Sequence, residues 1–460
     1  MRFRSVLVAN RGEIAVRVVR ACRELGIRSI AVYSTADRDA VLGRLGDEQV
    51  HIGPAPARRS YLNAAALIEA AVQRGAEAVH PGYGFLSEDP DFAAACADND
   101  LTFVGPPPEV ISRFGDKAAA RTAMAEAGLP ILPGTGTAVE EDEARAAADR
   151  IGYPVIIKAV AGGGGRGMEI VTEPGAFAAA YRRTRDTARA LFGDDRVCLE
   201  RFLTAAHHIE VQVLCDEHGN AVHLGLRDCS AQRRRQKLVE ESPSPVVSPE
   251  LADRITAAAL RGARAAGYRG AGTFEFLLDP ASRDFYFMEA NCRIQVEHPV
   301  TEMVTGVDLV REQLLIAAGQ PLSIRQEDVR PRGVAVECRI NAEDPDHGFA
   351  PAPGPLVEFV PPGGPFVRVD THAYPGMTVT PHYDSLIAKV ICWGPDRDTA
   401  LDRMDRALAE LRVAGPGVRT TTGFLRELIA HPLFRKGLHT TSLVDRVVAE
   451  RGPQPPGAHP

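Results

Sequence analysis

Paired cysteines are the first thing this chain of 460 residues lacks: it has eight cysteines, at positions 22, 96, 198, 215, 229, 292, 338 and 392, and no C-x-x-C. That scatter argues against a zinc site or a disulfide framework and fits a reducing cytosol. No apolar run approaches the roughly 20 residues of a membrane span. The opening M-R-F-R-S-V-L-V-A-N is too short in its apolar run for a signal peptide. Surplus basic charge is also missing. Formal net charge is -7 and pI about 6.0, so no positive field gathers nucleic acid or an anionic membrane. The first strand is not followed by G-x-G-x-x-G, which sets aside a nicotinamide-binding domain; G-K-[ST] is absent, which sets aside a P-loop. No internal repeat is visible.

What remains is 45% hydrophobic and 25% charged, an ordinary globular mix, and long enough for about three domains. Residues 6–9 read as a buried strand. Ile14, Val18, Cys22 and Leu25 then recur at helical spacing up to Gly26, and residues 29–33 form the next strand. A helix over 62–73 and strands at 76–80 and 102–105 continue the alternation. The chain therefore opens with a mostly parallel sheet whose ligands sit beyond its strand ends, where residues 10–13 and 80–84 stand. A second unit follows, with a helix at 117–127 and strands at 154–159 and 168–171 bracketing A-G-G-G-G-R-G. A third carries a strand at 208–214, the basic stretch Q-R-R-R-Q-K at 232–237, a hairpin, and A-V-E-C-R-I-N-A-E at 335–343. The last ten residues, rich in Pro and Gly, read as a disordered tail.

Three patterns carry chemistry. The glycine run between two strands suits a lid over polyphosphate, because backbone N–H groups without Cβ atoms approach oxygens closely. In the hairpin over 272–291, Glu275 and Glu289 lie nearly equidistant from the turn D-P-A-S-R, so antiparallel pairing makes them neighbours that repel. Mg²⁺, which favours carboxylates together with phosphate oxygens, would relieve that repulsion, with Asn291 beside it. The segment M-E-A-N-C-R-I-Q-V-E-H (288–298) alternates throughout. If extended, it places Met288, Ala290, Cys292, Ile294 and Val296 on one face and Glu289, Asn291, Arg293, Gln295 and Glu297 on the other. A plain half-buried strand would show the same alternation, but its polar face suits metal ions and oxyanions. Lys237, in the basic stretch, reads as an active-site anion ligand. Adjacent His207 and His208 point oppositely in a strand, which argues against joint metal ligation.

Taken together, these segments resemble the biotin carboxylase family of the ATP-grasp superfamily. The matching stretches are A-N-R-G-E-I-A (9–15), H-P-G-Y-G-F-L-S-E (80–88), K-A-V-A-G-G-G-G-R-G-M (158–168), R-D-C-S-A-Q-R-R-R-Q-K (227–237), G-Y-R-G-A-G-T-F-E-F (267–276), R-I-Q-V-E-H-P-V-T-E (293–302) and V-E-C-R-I-N-A-E-D-P (336–345). The resemblance implies a mixed α/β and α+β fold. A Rossmann-like domain would span 1–115 and an ATP-grasp domain 116–330, with a mobile glycine-rich lid over 132–203. A C-terminal biotin carboxylase domain would span 331–447, and a disordered tail 448–460. It implies that Lys117, Lys158, Gly163, Gly164, Gly165, Glu200, Arg201, Leu203, His208 and Gln232 bind ATP. Glu275, Glu289 and Asn291 would hold two Mg²⁺ ions, with Mn²⁺ able to substitute. Lys237, Arg293, Gln295 and the Val296 backbone would hold bicarbonate, Glu297 would be its base, and Arg339 would stabilise the biotin enolate beside Tyr83 and Gly84.

The activity so implied is carboxylation of carrier-borne biotin from bicarbonate and ATP through carboxyphosphate. It would be the first half-reaction of an acyl-CoA carboxylase in fatty acid biosynthesis, acetyl-CoA foremost. The alternatives are a two-subunit pyruvate carboxylase and another ATP-grasp ligase joining a carboxylate to an amine. Arg293, Gln295, Val296, Glu297 and Arg339 separate the last from a carboxylase. No M-K-M biotinylation site occurs, so the biotin carboxyl carrier protein and the carboxyltransferase are expected as separate chains. A cytoplasmic homodimer, with no nucleic-acid or membrane partner, completes the expectation. Arg235 stands where many members have His, Ala161 replaces a glycine, and Cys292 replaces a Thr on the apolar face.

Overall fold

Five parallel strands open the chain: β1 (Ser5–Val8), β2 (Arg28–Tyr33), β3 (Glu48–His51), β4 (Ala78–His80) and β5 (Thr102–Phe103), in the order β3-β2-β1-β4-β5. The computed structural model describes residues 2–136, 138–161 and 167–452. β1 is central and buried throughout, as its uninterrupted apolar run requires. The loops after β1 and β4 meet where the strand order reverses. There Asn10 Nδ2 donates to the carbonyls of Pro81 (2.6 Å) and Tyr83 (2.8 Å). Gly82 is obligatory at this junction, because φ is +63° and a Cβ would lie 2.8 Å from Asn10 Nδ2. The helix Gly12–Glu24 starts from the same point and buries Glu13 in its first turn.

β6 (Val155–Ala159), β7 (Met168–Val171) and β8 (Val197–Arg201) form a small antiparallel sheet in the order β7-β6-β8. Helices Glu141–Ile151 and Phe177–Phe192 share a core with it through Val155, Ile157, Leu199 and Tyr181. The sequence between β6 and β7 includes Gly163, Gly164 and Gly165, which lie outside the described residues.

The largest sheet begins with β9 (His207–Cys215), β10 (Ala221–Arg233), β11 (Gln236–Ser242), β12 (Gly270–Leu278), β13 (Phe285–Asn291) and β14 (Val334–Asn341). Strands Leu386–Gly394 and Val367–Thr371 complete it. Its order is β13-β12-β9-β10-β11-β14, then Leu386–Gly394, then Val367–Thr371, antiparallel throughout. The boundary expected at 330/331 therefore falls within one continuous sheet, joined where β11 pairs with β14. Phe274, Phe276 and Phe287 project to its helical side, packed by the helix Pro249–Ala265, and leave the opposite side to polar residues.

One boundary differs from expectation. The final helix is Leu443–Arg451, so residues expected to begin the tail at 448 are helical. Residues 453–460 lie outside the described part. The alternating segment 288–298, whose extended conformation the pattern left open, is a strand only as far as Asn291. Before that end, Glu275 pairs with Glu289 but Phe276 pairs with Phe287, so Met288 is the extra residue of a bulge. The bulge turns Met288 to the cleft beside Glu289, away from the face that it would share with Ala290 in a regular strand.

The C-terminal segment is pinned to the sheet by His439. Its ring stacks on Phe434 and its Nε2 lies 3.6 Å from Asp228 Oδ1 and 3.5 Å from Glu241 Oε1. Burial disfavours charge on His439, but Asp228 and Glu241 outweigh burial and the opposing Arg397, raising its pKa. A raised value means that the bound proton stabilises the fold below the unfolded value of about 6.5 and that this is lost as pH climbs through the folded value. Thermal denaturation of wild type and His439→Asn across pH 5.5–9 should show a wild-type advantage that shrinks above pH 6.5. A gap that is constant with pH would exclude this role.

Candidate active site

Side chains from all three parts of the chain converge on one cleft of about 1120 Å³. The β1 and β4 loops contribute Tyr83 and Gly84. The small sheet and the residues following it contribute Lys158, Glu200, Arg201 and Leu203, and the helix Lys117–Glu126 contributes its first residue, Lys117. The polar side of the large sheet supplies His208, Gln232, Lys237, Glu275, Glu289, Asn291 and Arg339, and Arg293, Gln295 and Val296 follow from the segment after β13. Every described residue expected in the site lines this cleft except Glu297, which is fully buried behind Lys237 and Arg339.

The sheet register dictates the electrostatics. Glu289 pairs with Glu275, Glu275 with Glu210, and Glu210 with Arg227, so three carboxylates and a guanidinium form a row across four strands. Lys237 reaches into this row from β11. Its ammonium bonds Glu297 Oε1 at 2.6 Å, Glu275 Oε1 at 3.2 Å and, closely, Glu210 Oε1. Burial disfavours its charge, yet the three glutamates together hold its pKa well above the usual lysine range. Glu275 and Glu297 respond in the opposite sense: burial raises them, but Lys237, with His208 on one and Arg339 on the other, holds both below the usual carboxylate range. Glu210 is the loser of this competition. Burial pushes it up, Glu297 and Glu275 add to the rise, and it reaches about 7 despite Lys237 and Arg227.

Glu210 was not among the expected site residues. The available signal was its place two residues after His208 in an extended run, which puts both on one face.

His208 Nε2 lies 2.7 Å from Glu275 Oε2, and its Nδ1 accepts from Gln232 Nε2 at 3.2 Å. His207 points to the other side of the sheet, where Asp228 and His439 act on it, as alternation predicts. Glu200 is buried and pairs with Arg121 Nη1 at 2.8 Å and, closely, with Lys158. Beyond β13, Arg293 Nη2 donates to Asn291 Oδ1 at 2.9 Å and its Nε to Glu88 Oε2 at 2.7 Å. Gln295 Nε2 donates to Glu275 Oε1 at 2.8 Å. Arg339 bridges Glu240 (2.6 Å) and Glu297 (3.0 Å). Cys292 is buried, whereas Arg235 is exposed at the cleft with φ +67°.

The donor set fits a hard divalent cation. Glu289 is half-buried beside Glu275, and both desolvation and that neighbour raise its pKa. A cation between the two carboxylates removes this repulsion, and with Asn291 they are oxygen ligands of the kind that Mg²⁺ takes alongside phosphate. Lys237, Arg293 and Arg339 add three fixed cations for an oxyanion.

Comparison with known proteins agrees along the chain. Residues 2–111 match the biotin carboxylase N-terminal domain, 116–325 the ATP-binding domain of the carbamoyl-phosphate synthase L chain, and 337–446 the biotin carboxylase C-terminal domain. The biotin carboxylase of Nostoc sp. is 52% identical over 97% of this chain and 100% of its own length. A pyruvate carboxylase subunit from Methanothermobacter thermautotrophicus is 50% identical over 96% of this chain and 90% of its own. The biotin carboxylase domain dimer of Hydrogenobacter thermophilus 2-oxoglutarate carboxylase, in complex with MgADP, ADP and bicarbonate, superposes with TM-score 0.93. It is 45% identical over 97% of this chain and 99% of its own.

Since Glu289 is disfavoured as an anion in the absence of a cation, Glu289→Gln should leave the melting temperature of the unliganded protein equal or higher. The same variant should lose most of the stabilisation that MgATP confers on the wild type. Differential scanning calorimetry with and without MgATP measures both, and an undiminished MgATP shift would exclude Glu289 as a ligand.

Proposed function

Since the chain belongs to the biotin carboxylase family of ATP-dependent ligases, we propose that its cleft carboxylates carrier-borne biotin with bicarbonate and MgATP. The single observation that supports this most is the placement of Lys237, Arg293, Gln295, Val296 and Arg339 around one cleft, with Glu297 directly behind two of those cations. In this reading residues 1–115, 116–330 and 331–447 are the functional divisions of the chain. Lys117, Lys158, Glu200, Arg201, Leu203, His208 and Gln232 receive ATP, and Gly163, Gly164 and Gly165 complete its phosphate lid. Glu275, Glu289 and Asn291 hold Mg²⁺, which neutralises phosphate charge during transfer.

Lys237, Arg293, Gln295 and the Val296 backbone seat bicarbonate. Glu297 is kept ionised by Lys237 and Arg339, so it is ready to accept a proton but is a weak base. A bicarbonate anion that shares those cations loosens their hold and raises the proton affinity of Glu297 at the moment it is needed. The deprotonated bicarbonate attacks the γ-phosphate to give carboxyphosphate and ADP. Carboxyphosphate breaks down to CO₂ and phosphate, and the phosphate takes the N1′ proton of biotin. Arg339 then faces the resulting enolate as it attacks CO₂, with Tyr83 and Gly84 bordering the ring. Exclusion of water from the closed cleft protects the labile intermediates.

The carboxyl acceptor is chosen by a transferase, and acetyl-CoA in fatty acid biosynthesis is our first assignment. Pyruvate is the second, since a pyruvate carboxylase subunit is nearly as similar to this chain as the Nostoc biotin carboxylase. A biotin carrier, a carboxyltransferase and a second copy of the chain are the proposed partners, in the cytoplasm. Among the described residues no helix is long and apolar enough to cross a membrane.

ADP release measured with and without bicarbonate and free biotin should depend on both; independence from both would refute the assignment. Glu297→Gln should reduce bicarbonate-dependent turnover about 10²–10⁴-fold, the usual worth of a general base, while ATP binding is preserved. Unchanged turnover would remove Glu297 from the role of base.

A further inference from the structure

Lys389 lies outside the cleft lining and is fully buried on the strand Leu386–Gly394. A buried lysine is rare unless it is paired. Its Nζ donates to the Val296 carbonyl at 2.7 Å and lies 3.0 Å from Glu13 Oε1. The same Glu13 oxygen accepts the Tyr83 hydroxyl at 2.5 Å. Asp370 is 3.9 Å away and is already held by Arg368 at 2.9 and 2.7 Å. One ammonium thus touches the segment proposed for bicarbonate and, through one carboxylate, the tyrosine proposed to border biotin.

We infer that Lys389 is a positioning residue of the bicarbonate site, holding the Val296 peptide from beneath and tying it through Glu13 to Tyr83. This rests on the assignment of Val296 and Tyr83 made above.

Among the described residues the segment after Asn291 has no strand partner to set its peptide orientations, so other groups must. His298 Nδ1 donates to Gln295 O at 2.8 Å, and Lys389 takes the next carbonyl. A peptide unit is planar. Fixing the Val296 oxygen therefore fixes the Glu297 N–H opposite it and the direction in which the Glu297 side chain departs toward Lys237 and Arg339. Stability alone gives no reason for an ammonium here, since an apolar residue often replaces a buried ion pair without loss. Orientation of one carbonyl is what a hydrogen-bonding cation supplies and a methionine does not. Burial opposes the charge on Lys389, but Glu13, Glu337 and Asp370 prevail and raise its pKa, so it is a permanent cation.

The test compares the full chain with Lys389→Met and with Glu13→Gln/Lys389→Met, which removes both charges and so avoids a stranded carboxylate. Steady-state ADP release is titrated with bicarbonate, ATP and free biotin, alongside melting temperatures. Lys389→Met should raise the KM for bicarbonate at least tenfold, with the KM for ATP within twofold of wild type. The double variant should recover thermal stability but keep the raised bicarbonate KM. Return of that KM to the wild-type value in the double variant, or an equal rise for ATP and bicarbonate, would overturn the inference. A wild type without bicarbonate dependence would instead refute the assignment on which it rests.

Discussion

The charge balance around Lys237 is the constraint on which the rest of the site depends. Antiparallel register brings Glu210 and Glu275 side by side, and the turn after β13 adds Glu297, so three acids are buried together. Placing several ions there costs several kcal/mol each before any pairing, an expense that a single well-placed ammonium offsets by contacting all three. Arg227 supports Glu210 from the far side with every contact buried, and Arg339 does the same for Glu297. The cluster still has more carboxylate than it can keep fully ionised, and Glu210 absorbs the excess by rising to about 7. Such a cluster is poised rather than saturated. An added anion competes for Lys237 and Arg339, an added cation relieves Glu275 and Glu289, and either shifts protons among neighbours.

Much of this was legible in the residues. The β-α-β opening, the hairpin that pairs Glu275 with Glu289 and the opposed directions of His207 and His208 all follow from period-two and period-3.6 patterns. So does the apolar burial of Cys292. Those features are local, and each concerns residues whose partners lie on the same strand or across one turn. What escaped was set by contacts distant in sequence. Glu210 stands 27 residues from Lys237 and 65 from Glu275, so alternation with His208 marks its face but nothing local marks either contact.

The segment 288–298 shows the same limit at closer range. Its alternation is unbroken, yet the backbone stops pairing at Asn291 and bulges at Met288. Alternation records which side chains are polar; it does not record whether a neighbouring strand is present to keep the chain extended. The bulge supplies what a regular strand would have denied: adjacent Met288 and Glu289 both reach the cleft. Past Asn291 the polar residues converge by turning, with Arg293 bonded back to Asn291 and Gln295 to Glu275. A regular strand would instead carry Glu297 about 20 Å beyond Asn291 at the usual rise per residue. It could not then share Lys237 with Glu275.

Turning the chain creates a need that the continuous eight-stranded sheet meets. A loop without ladder partners holds its geometry only if its carbonyls are bonded elsewhere. Here His298 bonds the Gln295 carbonyl, and the bond to the Val296 carbonyl comes from Lys389, contributed by a strand on the far side of β14. The expected boundary at 330 separates Lys389 from the segment it steadies, but the sheet does not. Pairing of β11 with β14 carries Arg339 and Lys389 into fixed relation with Lys237, because strand spacing and register leave little freedom once side chains are packed. The C-terminal strands are therefore part of the anion site's framework: the cations that surround Glu297 keep their spacing only while the sheet remains whole.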